Sequence, residues 1–265
     1  MSDQPLPDNV HAVMRAHVLQ ALESDQAGEP ELFQLFFDFC HYRLAFLKQR
    51  VRERLGTNIV AGPFQGMRFD IGPVGSCLLP KLLGTYEQEL HPVIRKAVRR
   101  GYKRIINLGC AEGLYAVGFK RLMPDTEIIA VDILPEARAK CQAMAELNGV
   151  ELVISDGLAH SDLARLCTPD TLIWSDIEGA EEDLLDPEAV PALKTTDMVV
   201  ELHETAIEAL PPRYKASHDV KLLMPGVHGF AWPGFLDDVS DIDLALLQWE
   251  MRYGPLPWAV MTSKA

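Results

Sequence analysis

A short apolar run, Arg104-Ile105-Ile106-Asn107-Leu108, enters Gly109-Cys110-Ala111-Glu112-Gly113 and leaves through Leu114 and Tyr115 into a helical pattern. A second apolar run, Glu127-Ile128-Ile129-Ala130-Val131, ends in Asp132. A strand, a glycine loop, a helix and a strand ending in an acid form the unit with which a parallel sheet grips a nucleoside. Every other segment can be placed relative to it.

From Lys103 onward the alternation is regular. The pattern predicts strands at about 104–109, 127–132, 150–155, 171–176 and 197–203, and helices at about 113–123, 135–148, 158–167 and 179–186. Strands alternating with helices of this length predict an α/β fold, a Rossmann-like, doubly wound and mostly parallel sheet. After Glu204 come a helix at 205–210, an extended piece at 219–223, a helix over 240–252 and a last strand at 257–261, which permits an antiparallel hairpin at the sheet edge. The long irregular loop at 224–238, with Phe230 and Trp232, reads as a lid.

Upstream, residues 9–23 and 29–55 carry apolar residues at helical spacing. In the longer helix Leu32, Leu35, Phe36, Phe39, Leu44 and Leu47 form a stripe, widened by Phe33, Phe37 and Tyr42. Core packing is the plain reading of that stripe; a cover over substrate and a dimer contact also fit. Residues 58–69, with Gly62-Pro63 between two β-like pieces, read as a small β-hairpin. Gly84-Thr85 followed by acids reads as the start of a helix ending near Gly101. The expected division is an N-terminal helical extension plus hairpin at 1–102, serving as cap, dimer or substrate region, and a cofactor-binding catalytic domain at 103–265.

A net charge of −13 argues against nucleic acid and anionic membrane as partners. The local basic group Arg95, Lys96, Arg99, Arg100, Lys103 and Arg104 reads as the solvated face of a helix. Cys40, Cys77, Cys110, Cys141 and Cys167 lie in apolar contexts without CxxC spacing and read as buried thiols in a reducing cytoplasm. The first residues lack the regions of a signal peptide, and no apolar run reaches membrane-spanning length. The expectation is a cytoplasmic protein.

The loop spacing is GxxxG rather than the GxGxxG of a dinucleotide site, and Glu112 inside it would face phosphates with like charge. A cofactor with no phosphate, carrying a sulfonium and an ammonium, suits such a loop: S-adenosylmethionine. Asp132 is placed to accept the ribose hydroxyls and also to cap the next helix, with Ile133 beside it. Asp156 and Gly157 end the third strand where an adenine would reach; Asp156 either accepts from the adenine amino group or caps the following helix. At the end of the fourth strand, Asp176 could contact the methionine end of the cofactor, accept a hydroxyl proton or ligate a divalent cation. Period two puts Val199, Glu201 and His203 on one face of the fifth strand, and an imidazole suits general-base work near neutrality. The alternative is a structural Glu201–His203 pair. Glu178, Glu201 and His228 are the expected substrate contacts. No metal is favoured, since Mg²⁺ prefers oxygen to imidazole; Asp176, Glu201 and His203 are the set that would hold a divalent cation.

The segment Asp176-Ile177-Glu178-Gly179-Ala180-Glu181 resembles the D-[VI]-E-G-A-E signature of the FkbM-type methyltransferases. Glu201-Leu202-His203 is similar to that family's acid-then-His ending, and Gly84-Thr85-Tyr86-Glu87 to its upstream segment. Over residues 103–262 the loop, Asp132 and Asp156 look like a class I S-adenosylmethionine-dependent methyltransferase. Two positions depart from the pattern: Asn107 replaces an acid, and Ala111 replaces the middle glycine. The resemblance implies a cofactor held by Tyr86, Asn107, Gly109, Cys110, Ala111, Glu112, Gly113, Asp132, Ile133, Asp156, Gly157 and Asp176. It implies O-methylation of a hydroxyl on a sugar or natural-product small molecule, with His203 and Asp176 catalytic. It also allows magnesium, which related sugar O-methyltransferases of the macrocin type hold with a carboxylate cluster. An N- or carboxyl-methyltransferase, an NAD(P)-dependent oxidoreductase and a non-catalytic cofactor-binding scaffold are the alternatives. A homodimer is the expected assembly.

Overall fold

The computed structural model describes residues 10–23, 28–74, 76–226, 239–252, 254 and 256–265. Strands β1 (Arg104–Leu108), β2 (Glu127–Val131), β3 (Val153–Ser155), β4 (Thr171–Ser175) and β5 (Asp197–Glu201) pair in parallel. Strands β6 (His218–Leu223) and β7 (Trp258–Ser263) join antiparallel, with β7 inserted beside β5. The order is β3-β2-β1-β4-β5-β7-β6, a seven-stranded sheet among the described residues. The Rossmann-like, doubly wound and mostly parallel sheet therefore stands, and so does the antiparallel edge.

The helices are α1 (Val10–Glu23), α2 (Glu29–Leu55), α3 (Leu78–Leu83), α4 (His91–Arg100), α5 (Leu114–Leu122), α6 (Pro135–Asn148), α7 (His160–Leu166), α8 (Glu181–Leu184), α9 (Ala206–Tyr214) and α10 (Asp241–Leu247). Helix α6 shows why the periodicity was legible. Pro135 presets its first turn, Ala137, Cys141, Met144 and Ala145 are its buried stripe, and Gly149 ends it. Helix α4 buries Ile94 and Ala97 and turns Arg95, Lys96, Arg99 and Arg100 to solvent, so the basic group is a helix face. Helix α9 passes through Pro211 and Pro212 to Tyr214, whose hydroxyl donates to the Leu185 carbonyl at 2.9 Å. All five cysteines are free and buried. Among the described residues no helix is long and apolar enough to cross a membrane.

One core, with Ile105, Trp174, Val199 and Trp258, packs under α4, α5 and α6; the other, with Ile106, Ile173 and Val200, packs under α7 and α9. Ile59, Phe64, Met67, Phe69, Leu82 and Ile94 belong to the first core, so packing runs without a break across the expected division at 102/103. Phe64 sits on Gly118 of α5, where a Cβ would come within 2.5 Å of the ring, and this close approach fixes the 58–69 segment on the sheet layer.

Three expectations are corrected. The 58–69 hairpin is narrower than expected: one antiparallel bridge, Asn58 with Arg68, flanked by backbone bonds from Ile59 to the Met67 carbonyl at 2.9 Å and from Phe69 to the Thr57 carbonyl at 2.6 Å. Gly84 does not start a helix: with φ 72° it ends α3, and the next helix begins only at His91 after a 3₁₀ turn at Gln88–Leu90. The α2 stripe is core only from Cys40 onward, where Cys40, Leu44, Leu47 and Val51 are buried against α3 and α10. Its front half leaves Leu32, Phe33 and Phe36 more than half exposed, at 52%, 64% and 58%. His228 and most of the 224–238 loop lie outside the described residues.

Candidate active site

The loop after β1 is held by the two strands beside it. Gly109 and Cys110 both donate to the Val131 carbonyl at 2.9 Å, and Ala111 donates to Asp132 Oδ2 at 2.9 Å. Asp132 Oδ1 accepts from the Leu134 amide at 2.9 Å. The acid at the end of β2 thus ties its own turn to the loop, and each oxygen keeps a lone pair for a ligand hydroxyl. It does not cap α6, whose first residue follows Leu134. Gly109 has φ 74°, and a Cβ there would lie 1.6 Å from the Asp176 carbonyl oxygen. Only a glycine lets the end of β1 pass that close to the end of β4. Cys110 is buried; a hydrogen bond with Cys141 and burial both hold its thiol protonated.

Glu112 is placed differently from the expectation. It is fully buried, pairs with the buried Lys81 ammonium, and accepts from the Val74 amide at 2.9 Å. Lys81 also donates to Ser76 Oγ at 2.6 Å and lies 4.7 Å from the centre of the Tyr86 ring. The carboxylate is compensated beneath the loop, so its charge is not available to repel a phosphate. Tyr86 belongs to this under-layer, and its burial raises the phenol well above its usual range.

The remaining cofactor candidates fall along the carboxyl edge. Ile133 is 80% exposed just past Asp132, an apolar surface open to a ligand ring. Asp156 and Gly157 are exposed beyond β3. Asp156 does not cap the next helix, because Asp162 accepts from the Ala159 amide at 3.1 Å instead. Asn107, 1% exposed, donates to the Trp174 carbonyl at 3.3 Å and leaves Oδ1 buried without a partner among the described residues.

Beyond β4 and β5 the side chains of Asp176, Glu178, Glu181, Glu201 and His203 converge. His203 is 7% exposed. Its Nδ1 lies 2.7 Å from Oε1 of the fully buried Glu181. Its Nε2 lies 3.5 Å from Glu178 Oε2, 3.7 Å from Asp176 Oδ1 and 3.7 Å from Glu201 Oε2. Burial is the largest single influence and disfavours the imidazolium. The Glu181 hydrogen bond and the charges of Glu181, Glu201 and Asp176 together outweigh it, and the pKa rises to about 9. Burial and the neighbouring Glu201 push the Asp176 carboxyl up to about 8. The carboxylates on both ring nitrogens thus favour the imidazolium over the neutral ring.

A buried network adjoins this cluster, and sequence reading had not assembled it. Arg252 donates to Glu201 at 2.6 Å, to Glu87 at 2.9 Å and to Glu250 at 2.9 Å, while the Tyr115 hydroxyl donates to Glu87. Three carboxylates around one guanidinium leave a surplus of negative charge out of water. Burial first, then Glu201, raises the Glu87 carboxyl to about 8 against the pull of Arg252. The folded value lies above the ordinary one, so this contribution to stability is complete at acid pH and is lost as pH rises through 8. The melting temperature should fall between pH 5 and pH 9, by an amount that Glu87→Gln reduces, as read by calorimetry across that range. Superimposable pH profiles for the two proteins would refute this.

No protein-family model matches the chain. Over 102 residues it is 31% identical to the release factor glutamine methyltransferase of Deinococcus radiodurans. That match takes in 37% of this chain and 36% of that protein, so the chain spans little more than a third of the curated relative. Among solved structures it is similar to the precorrin-6y C5,15-methyltransferase of Geobacter metallireducens, at 13% identity and TM-score 0.43, over 66% of this chain and 89% of that one. It is similar to the O-methyltransferase TomG of Streptomyces achromogenes in complex with SAM, at 14% and 0.42, over 69% and 83%. It is also similar to an rRNA methylase of Streptococcus thermophilus, at 10% and 0.45, over 66% and 96%. The fold is carried by the strand order itself: five parallel strands with β7 antiparallel between β5 and β6 make a Rossmann-like sheet of the class I methyltransferase type.

Proposed function

We propose that the chain is an S-adenosylmethionine-dependent methyltransferase that transfers a methyl group to a hydroxyl oxygen of a small molecule, a sugar or a natural-product intermediate. The observation that carries this reading is the loop tied to Asp132. Backbone amides bind the carboxylate without exhausting it, so two ribose hydroxyls can share the remaining lone pairs. The exposed Ile133 supports a place for the adenine beside it, with Asp156 within reach. The methionine end of the cofactor then lies over Gly109–Gly113 and points toward Asp176. The partial likeness to a glutamine methyltransferase supports the transferase class and spans too little of either protein to bring its acceptor with it.

Transfer is an in-line displacement, so the protein contributes chiefly alignment of nucleophile, carbon and sulfur. Asp176 and His203 stand where the methyl would emerge, with Glu178 and Glu201 as acceptor contacts. The hydroxyl proton passes into the carboxylate cluster around His203. Residues 1–102 supply the cover of this end through Glu87, and the exposed aromatic front of α2 is the surface offered to a second copy.

S-adenosylhomocysteine at a hundred times its dissociation constant should stabilise the protein by about 2.7 kcal/mol in a thermal-shift assay. Asp132→Ala removes two charge-assisted hydrogen bonds and should weaken binding by roughly a hundredfold. Stabilisation by NADH and not by S-adenosylhomocysteine would overturn the reading in favour of an oxidoreductase.

A further inference from the structure

We infer that Asp176, Glu178 and His203 form a binding site for a divalent transition-metal cation at the acceptor end of the sheet. One oxygen from each carboxylate and one imidazole nitrogen lie within 4.8 Å of one another. The Nε2 distances are 3.5 Å to Glu178 and 3.7 Å to Asp176. Ligands about 2.1 Å from a shared ion stand about 3.0–3.4 Å apart in octahedral or tetrahedral geometry. The two distances to Nε2 need to close by only a few tenths of an ångström, and the two carboxylates, already within 4.8 Å of one another, complete the set by side-chain rotation.

Two further observations point to a ligand. Asp176 Oδ1, the atom that faces His203 Nε2, is shut off from solvent and has no hydrogen-bond partner among the described residues. Glu181, fully buried, engages His203 Nδ1 through one oxygen and leaves the other unpartnered. A carboxylate on the far nitrogen of a histidine directs the near nitrogen to a metal and fixes its tautomer. Glu178, with a side chain 84% exposed, leaves an approach from solvent.

Glu201, named with Asp176 and His203 from the sequence, is not in the set. Its Oε1 is taken by Arg252 at 2.6 Å, and its Oε2, 3.7 Å from His203 Nε2, falls outside the group whose ligand atoms all lie within 4.8 Å of one another, where Glu178 stands instead. Two carboxylates and one imidazole suit manganese or zinc better than magnesium or calcium, which favour oxygen throughout. Resting on the methyltransferase reading, the ion's place beside the emerging methyl assigns the acceptor: a molecule presenting a hydroxyl as a metal ligand, whose proton is made easier to lose by coordination.

The test is calorimetric titration of Mn²⁺ into the full chain, with S-adenosylhomocysteine titrated into the same samples. Saturable one-to-one binding of Mn²⁺ is expected, weakened about tenfold or more by Glu178→Gln, since losing a direct donor costs no less than losing an outer-shell partner. Glu178 is exposed, so the variant should fold and should bind S-adenosylhomocysteine as the parent does. No saturable Mn²⁺ binding, or equal binding by Glu178→Gln, overturns the cation site. Loss of S-adenosylhomocysteine binding in the parent overturns the cofactor reading separately.

Discussion

Gly109→Ala should leave little or no folded protein able to bind S-adenosylhomocysteine. A methyl group at that position would sit 1.6 Å from the Asp176 carbonyl oxygen, and the partner is backbone, so no rotamer change relieves the clash. The end of β1 would have to move away from β4, where Asp176 donates its amide to the Leu108 carbonyl at 2.9 Å. Displacement would carry the loop off Asp132 and Asp176 away from the histidine cluster together. Gly149→Ala is the internal comparison. It has a similar positive φ of 64° and nothing within 4 Å of its added methyl, so it isolates the backbone penalty of about 1 kcal/mol. Soluble yield and ligand titration on the two variants separate the effects; a Gly109→Ala protein that melts and binds like Gly149→Ala would show that the crossing is slack.

Lys81→Met should destabilise the chain by about 3–5 kcal/mol, the usual result of stripping one partner from a buried ion pair. Lys81 and Glu112 are 4% and 0% exposed, and the orphaned carboxylate would retain only the Val74 amide. For a chain of this size that is a loss of roughly 5–10 °C in melting temperature. The double variant Lys81→Met with Glu112→Leu should lose less than Lys81→Met alone, because no uncompensated charge stays behind. Denaturant unfolding of the single and double variants measures the difference. Additive losses would mean that the two side chains do not act as a pair.

Local signals were legible in proportion to their locality. Pro135, Gly149 and the stripe between them define α6 within a few turns of chain, and structure and sequence agree on 135–148. The strand–loop–strand unit around Gly109 is likewise self-contained. Gly84 was misread because a glycine between Leu83 and Thr85 serves equally at either end of a helix; the φ of 72° decides it. Glu112 was misread for a different reason. Its position in the loop is a local fact, but the direction of its side chain depends on a lysine from another helix. The network of Arg252, Glu87, Glu201 and Tyr115 is the extreme case, since no spacing links four residues brought together by separate elements. The Glu181 contact was closer to hand: it closes the same short segment that begins at Asp176, one helical turn beyond Glu178. The front of α2 shows the opposite failure, where a correct period says which residues share a face and not whether anything covers it.

Among the described residues five other than glycine hold left-handed backbone, at Glu87, Ala111, Glu178, Glu204 and Met251. Each lies outside the helices and strands, and three are glutamates, which gain nothing from that conformation themselves. A glycine at any of the five would sit more easily. The fold therefore accepts discomfort in the very turns that present its carboxylates, while the helices and strands behind them hold ordinary angles. Relaxing these turns with glycine would ease the backbone and remove, at Glu87, Glu178 and Glu204, the carboxylates they carry.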